Sequence, residues 1–428
     1  MKRLKKTRAP APLTGSVTVP GDKSVSHRAL ILASLAQGQS RIGGLNDGAD
    51  VRATADCLRA LGVAVERSNG EVEVDGFAGA FAEPTAPLAC GNSGTTMRTL
   101  AGVLAPAPGT FVLTGDESLN RRPMLRVVAP LRQMGAVIDG REHGDLPPLF
   151  VRGAELTGVD HELRVASAQV KTALLLAGLR SAGTTSVTEP APSRDHTERM
   201  LAATGVEVER TGTRVAVQGG SRPDPFELTV PGDISAAAFL LVGALLLEGS
   251  ELTVSRVGLN PTRTGFVEVL RAMGGDVEVQ EEATTAGEPV GSVRAKASDL
   301  TAIRVEPATV PALIDEIPIL AVAASQAEGE TVFEGVGELR VKESDRLAAM
   351  AEGLTVLGAD VEAGPQTLAV RGPRPLTGGA VDPRGDHRIA MAFAIAGLLS
   401  MEKVTVKGWS CVDVSFPGFL ETISEARQ

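Results

Sequence analysis

The chain has no tyrosine, one tryptophan and three cysteines, and aromatics make up only 3% of its 428 residues. Its cores must therefore be built mainly from Ala, Val, Leu and Ile. Cys57, Cys90 and Cys411 are odd in number and far apart, which argues against a disulfide framework and for a reducing compartment, the cytoplasm. No CxxC, HExxH or Cys/His cluster occurs, so no metal is expected. Long hydrophobic runs are also missing. The longest, residues 236–247 if Gly243 is allowed, is too short for a bilayer, which needs about 20 residues. The start, MKRLKKTRAPAP, is basic but has no apolar segment behind it, so it reads as a frayed tail rather than a secretory signal. A net charge of −10 disfavours a general nucleic-acid binder, although a local basic cleft remains compatible with it. There is no GxxxxGK[ST], no GxGxxG after a strand and no GxSxG, which disfavours a P-loop kinase, a dinucleotide fold and a hydrolase elbow.

What the chain does have is ordinary globular composition, 43% hydrophobic and 22% charged, at a length that suggests two or three domains. It also repeats itself. Val-Thr-Val-Pro-Gly-Asp-Lys-Ser (17–24) returns as Leu-Thr-Val-Pro-Gly-Asp-Ile-Ser (228–235), each before a long Ala/Leu-rich helix. Two halves of similar plan follow, a domain at 20–229 and a second at 1–19 plus 230–428, with hinges near 19–20 and 229–231. A finer repeat reads LRALGVAVE (58–66), LRQMGAVID (131–139), LAATGVEVE (201–209), LRAMGGDVE (270–278) and LTVLGADVE (354–362). It predicts a helix end, a left-handed glycine and a half-buried strand. Between these lie helices apolar on most sides, which should be buried at the centre of each domain with sheets outside. The fold expected is α/β, two domains of three repeated units each.

Polar residues collect where those helices begin. GDKSVSHR (21–28) offers Lys23, Ser24 and Arg28. CGNSGTTMR (90–98) offers Asn92, Gly94, Thr95 and Arg98. NRRPM (120–124) offers Arg121 and Arg122 ahead of a proline suited to a helix start. SAQVK (167–171), SRDHTER (193–199), RVKESDR (340–346) and GDHR (385–388) add Ser167, Gln169, Lys171, Arg194, His196, Lys342, Glu343, Arg346, His387 and Arg388. Taken singly, each motif reads more simply as an N-cap, a Gly-rich turn or a solvated helix face. Cations at helix starts oppose the helix dipole, however, and these recur at equivalent positions of a six-unit repeat. Bound phosphates and carboxylates would explain them, several helix ends from two domains facing one cleft.

PGDKSVSHRA, GNSGTTMR, RRPM, SAQVK, NPTR (260–263), LIDEIPILA (313–321), RVKESDRL and GDHRIAMAF together resemble the 5-enolpyruvylshikimate-3-phosphate synthase family, in order from about 14 to 420. The resemblance implies a two-domain inside-out α/β barrel, each domain three βαβαββ units with buried helices. It implies enolpyruvyl transfer from phosphoenolpyruvate to the 5-hydroxyl of shikimate 3-phosphate without a cofactor. Asp315, Glu343 and Lys23 would be catalytic. Lys23, Ser24, Arg28, Ser167, Ala168, Gln169, Arg194, Asp315 and Lys342 would bind shikimate 3-phosphate, and Lys23, Gly94, Arg122, Gln169, Arg346 and Arg388 would bind phosphoenolpyruvate. No nucleic acid or membrane partner is implied, and a monomer that closes over its ligands is expected. Arg194, SAQ-x-K and N-x-TR match a glyphosate-tolerant subgroup, so weak glyphosate binding is expected, although Gly94 is retained where some tolerant members carry a larger residue. Glu338 and Ser415 stand where other members have substrate-contacting residues and are not assigned. The rival readings are an enolpyruvyl transferase acting on UDP-N-acetylglucosamine, which commonly uses a loop cysteine, and a non-catalytic anion-binding protein on the same scaffold.

Overall fold

The computed structural model describes residues 11–68 and 70–427, so most of the basic start lies outside the described residues. The five repeated glycines end their helices as their spacing predicts. Gly62, Gly135, Gly205, Gly274 and Gly358 all take positive φ, between 84° and 102°, where a side chain would be strained.

The described chain divides into two units. One comprises Gly21–Val230 together with Thr284–Glu288; the other takes in the chain up to Pro20, Pro231–Ala283 and Pro289 onward. In the first unit three four-stranded sheets share one spatial order. They are Glu227–Thr229, Gln37–Gly43, Glu71–Phe77, Ala64–Ser68; then Leu88–Ala89, Thr110–Thr114, Leu146–Arg152, Val137–Gly140; then Asp160–Glu162, Thr184–Thr188, Arg214–Gln218, Val208–Thr211. In each, the first pair of strands is parallel and the next antiparallel. The helices Lys23–Leu35, Gly94–Leu104 and Ala168–Gly178 run between them and are almost wholly buried. Small residues let these helices approach closely. A Cβ on Gly102 would lie 2.2 Å from the Ala173 carbonyl oxygen.

The second unit has two sheets of the same order. They are Thr14–Val17, Glu251–Gly258, Glu288–Lys296, Asp276–Thr285, and Arg304–Val305, Gly329–Glu334, Thr367–Gly372, Asp360–Ala363. The last sheet has only two strands, Gly379–Val381 and Val404–Val406. Beyond it the chain forms a 3-10 turn at Trp409–Val414 and a helix at Phe419–Glu425 instead of a hairpin. Much of the scarce aromatic content sits here. Phe419 packs on Phe239, Phe416 and Trp409 at centroid distances of 6.1, 5.2 and 6.0 Å. Large rings there do the covering that strands do elsewhere. The buried helices of this unit are Ile234–Leu246, Ile317–Ala324 and His387–Leu399. Among the described residues no helix is long and apolar enough to cross a membrane.

Candidate active site

The inner helices begin on capping side chains. Asp22 accepts from Val25 N at 2.9 Å, Ser93 from Thr96 N at 3.1 Å, Ser167 from Val170 N at 3.4 Å and Asp386 from Arg388 N at 3.0 Å. The cap reading of GDKS and GDHR is thus correct, while GNSG, read as a Gly-rich turn, also supplies a cap in Ser93; the neighbouring cations are left to be explained separately.

In the first unit Lys23 opens its helix and donates to Asp50 Oδ2 at 3.0 Å. Arg28, five residues on, is buried. Its Nε donates to Thr197 Oγ1 at 2.7 Å, Nη2 to Thr172 Oγ1 at 2.9 Å and Nη1 to the Ser24 carbonyl at 2.9 Å. Burial, opposed by Glu198 and Asp22, brings its pKa down to about 10, and the charge of Arg194 acts in the same direction as burial. Arg28 therefore stays cationic at neutral pH. Lys171 is held differently. It is 3% exposed and pairs with Glu189 at 2.7 Å and Glu198 at 2.8 Å, so it is a structural ion cluster beneath Ser167, whose N–H donates to Glu189 at 2.8 Å.

Two guanidiniums approach Gly94. A Cβ there would be 2.8 Å from Arg98 Nη1 and 3.5 Å from Arg122 Nη1. Arg98 donates to Gln169 Oε1 at 2.6 Å, and Gln169 Nε2 donates to Thr95 Oγ1 at 2.9 Å. Arg122 donates to Asn92 Oδ1 and, at 3.3 Å, to Ser118 Oγ. The amides at the start of this helix and two cations so gather around a residue without a side chain, a setting for a small anion. The helix after Arg122 starts at Leu125 with Met124 as N-cap, so Pro123 precedes the helix rather than opening it, a correction to the reading of NRRPM. The Leu125 N–H is taken by Asp145 Oδ1 at 3.0 Å, which fixes the start there.

In the second unit Arg346 organises the charge. Only 1% exposed, it donates to Asp386 Oδ2 at 2.7 Å, Asp315 Oδ1 at 2.9 Å and Glu343 Oε2 at 2.6 Å. Burial acts to lower its pKa, but Asp386, Glu343 and Asp315 together outweigh it and the net shift is upward. Arg388 Nη1 donates to the Asp315 carbonyl at 3.2 Å and lies 3.5 Å from Glu316 Oε1, with Nη2 3.8 Å from Asp315 Oδ2. Glu316 also accepts from Ser235, and Arg263 donates to Ser235 Oγ at 2.6 Å and Asp233 Oδ1 at 3.1 Å. Lys342 and Glu343 lie on the segment between the 3-10 turn Gly337–Val341 and the helix Arg346–Val356. Glu338 is in that turn and Ser415 follows the Trp409–Val414 turn, both half-buried.

The sequence reading missed the counter-charges. Asp50, Glu189, Glu198 and Glu316 are all buried and each holds a cation that the reading singled out. Their only signal is physical, since a buried cation requires a buried partner. Cys90 is fully buried, and its thiol is pushed well up, first by its hydrogen bond with Cys57 and then by burial. A loop-cysteine chemistry is unsuited to it. Among the described residues no group of three or more His, Cys, Asp or Glu is placed to hold a metal.

In each of the two units, buried helices that begin beside cations are combined with sheets of one repeated strand order, which defines the class as a repeated α/β protein of two units. The comparisons make this specific. Residues 7–423 match the family described as EPSP synthase (3-phosphoshikimate 1-carboxyvinyltransferase). The 3-phosphoshikimate 1-carboxyvinyltransferase of Alkalilimnicola ehrlichii is 51% identical over 417 residues, covering 97% of this chain and 93% of the relative. That of Shouchella clausii is 47% identical over 97% of this chain and 96% of its own. The solved EPSP synthase of Acinetobacter baumannii superposes with a TM-score of 0.89 at 42% identity, covering 100% of this chain and 98% of that one. The enolpyruvyl transferase NikO of Streptomyces tendae shares the fold, with a TM-score of 0.77 at 19% identity over 99% of this chain and 97% of that one. The chain belongs to the EPSP synthase family.

Proposed function

We propose the following roles for this chain in the reaction of its family. The chain is a 3-phosphoshikimate 1-carboxyvinyltransferase. It transfers the enolpyruvyl group of phosphoenolpyruvate to the 5-hydroxyl of shikimate 3-phosphate and releases phosphate. The hydroxyl oxygen attacks carbon 2 of phosphoenolpyruvate while carbon 3 takes a proton. The tetrahedral adduct then expels phosphate as carbon 3 gives a proton back.

Asp315 accepts the 5-hydroxyl proton. Arg346 at 2.9 Å and the grip of Arg388 on its backbone carbonyl fix its orientation. Glu343, oriented by Arg346, exchanges the proton at carbon 3, with Lys23 as the second candidate. Gly94, Arg122, Gln169, Arg346, Arg388 and Lys23 hold phosphoenolpyruvate. Ser24, Arg28, Ser167, Ala168, Gln169, Arg194, Asp315, Lys342 and Lys23 hold shikimate 3-phosphate. Both substrates carry a phosphate and a carboxylate, and preorganised cations and amides supply the charge stabilisation. The observation that carries this reading is the close approach of Arg98 and Arg122 to Gly94 at a helix N-terminus. Arg194, together with SAQ-x-K and N-x-TR, supports membership of the glyphosate-tolerant subgroup and weak glyphosate binding. A cytoplasmic monomer completes the reading.

The test is phosphate release by purified protein given both substrates, with each omitted in turn and chelator present. Release that needs both substrates supports the reading. Release with UDP-N-acetylglucosamine in place of shikimate 3-phosphate overturns it. Competitive glyphosate inhibition at low micromolar concentration would overturn the subgroup assignment alone.

A further inference from the structure

His27 lies in the GDKSVSHR segment but has no substrate role above. It is fully buried and stands at one end of a chain of hydroxyls. Its Nδ1 lies 2.7 Å from Thr54 Oγ1, Thr54 Oγ1 lies 2.7 Å from Thr96 Oγ1, and Thr96 Oγ1 donates to Ser93 Oγ at 2.7 Å. All four side chains are inaccessible to solvent. The chain ends on the oxygen that caps the Gly94–Leu104 helix, one residue before Gly94.

Proton order along this chain is set from its far end. The Thr96 hydroxyl gives its proton to Ser93, so Thr96 Oγ1 must accept from Thr54, and Thr54 Oγ1 must accept from His27. That places the imidazole proton on Nδ1. His27 Nε2 is then a bare lone pair, and it has no hydrogen-bond partner among the described residues. A protonated ring would put an unpaired N–H there, beside Lys23 and Arg28. Burial, then Lys23, then Arg28 keep the ring neutral, against the opposing charge of Asp22.

We infer that His27 is a positioning residue for phosphoenolpyruvate, acting through Thr54, Thr96 and Ser93 on the helix start at Gly94. The relay ties three segments together: the one that carries Lys23 and Arg28, the one that carries Asp50 and Thr54, and the one that carries Gly94 and Arg98. It fixes the hydroxyl dipole at the cap that aims the first amides of the Gly94 helix. Without a donor at His27 the Thr54 hydroxyl is free to reverse, and the cap loses its fixed order. The phosphoenolpyruvate end of the reaction should feel this more than the shikimate end.

The inference rests on the proposed roles, and its test separates the two. Turnover by the parent chain with both substrates tests the reaction itself. His27→Ala should then raise KM for phosphoenolpyruvate about tenfold, the effect of one lost buried hydrogen bond, with KM for shikimate 3-phosphate changed less than about twofold. Thr54→Val, which keeps shape, should reproduce the split even if His27→Ala folds poorly. The two changes combined should cost no more than either alone, and His27→Asn, which retains an N–H donor, should restore most of the loss. Equal rises in both KM values, additive effects, or an unchanged KM for phosphoenolpyruvate in folded Thr54→Val would overturn the inference.

Discussion

Arg346 Nε donates to Asp386 Oδ2 at 2.7 Å with both side chains buried, and the other oxygen of Asp386 caps the His387–Leu399 helix. One carboxylate thus sets both the guanidinium that orients Asp315 and Glu343 and the helix start that carries Arg388. A cap and a charge partner are two demands on one residue, and they can be separated by substitution.

Asp386→Asn retains an acceptor for the cap but removes the charge. Breaking a buried pair costs 3–5 kcal/mol by general experience; with Asp315 and Glu343 still present the loss should be about 3 kcal/mol. Asp386→Ala should cost about 1 kcal/mol more, because the cap goes too. Urea unfolding of the three proteins measures both. A variant Asp386→Asn within about 1 kcal/mol of the parent would show that Asp386 is not the partner that holds Arg346.

Gly94→Ala tests the anion setting directly. The added Cβ would sit 2.8 Å from Arg98 Nη1, the same nitrogen that donates to Gln169 Oε1, so the guanidinium must shift. Arg98 is on a side chain that can give, so the fold should survive with a stability change under about 1 kcal/mol. The KM for phosphoenolpyruvate should rise about tenfold or more while that for shikimate 3-phosphate moves little. Steady-state kinetics with each substrate varied decides it; an unaltered KM for phosphoenolpyruvate would remove Gly94 from the site.

Lys171→Met should destabilise strongly, by about 3–5 kcal/mol, because Glu189 and Glu198 would then share a buried space without their cation. The sequence could not show this. SAQVK places Lys171 one turn from Ser167, as if both met the ligand, yet the fold buries Lys171 against two carboxylates from other segments. What was legible were local features: the left-handed glycines at helix ends, the caps, the alternation along strands and the repeated VPGD. Those are set by residues close together in the chain. Asp50, Glu189, Glu198 and Glu316 meet their cations across the sequence, and the taking up of Thr284–Glu288 by the other unit has no local pattern at all. The two-stranded last sheet was likewise not legible, since GDHRIAMAF opens the same buried helix as in the other repeats and the difference arises only beyond Val404–Val406.

Thiol reagents should leave activity unchanged. Cys57 and Cys90 are buried, and the Cys90 thiol is pushed well up by its bond with Cys57 and by burial. Cys411 is half-buried, with burial first and the Asp386 charge next pushing its thiol up to about 12. Neither Cys90 nor Cys411 offers a thiolate at neutral pH, and Cys57 is buried away from reagents. Iodoacetamide treatment of the native protein at pH 7.5, followed by mass spectrometry and a rate assay, should find little labelling and full turnover. Loss of activity in step with labelling of Cys90 would favour the loop-cysteine chemistry of the rival transferase.

The buried His27 gives stability a defined pH dependence. Its folded-state pKa lies well below the ordinary 6.5, because burial, Lys23 and Arg28 all disfavour the charged ring. Below pH 6.5 the unfolded chain therefore binds a proton that the folded chain does not. Stability must fall as pH drops through 6.5 and continue to fall until the folded value is reached, approaching about 1.4 kcal/mol per pH unit from this one group. Above pH 6.5 both states carry a neutral ring, so the contribution there is constant. In His27→Asn the group is gone, and the unfolding free energy between pH 6.5 and 5 should decline less steeply than in the parent by up to that slope. Urea unfolding at half-unit intervals across this window measures the difference. Parallel curves for the two proteins would mean that His27 takes up its proton in the folded state as readily as in the unfolded one. The imidazole would then not be the fixed neutral donor that the hydroxyl relay requires.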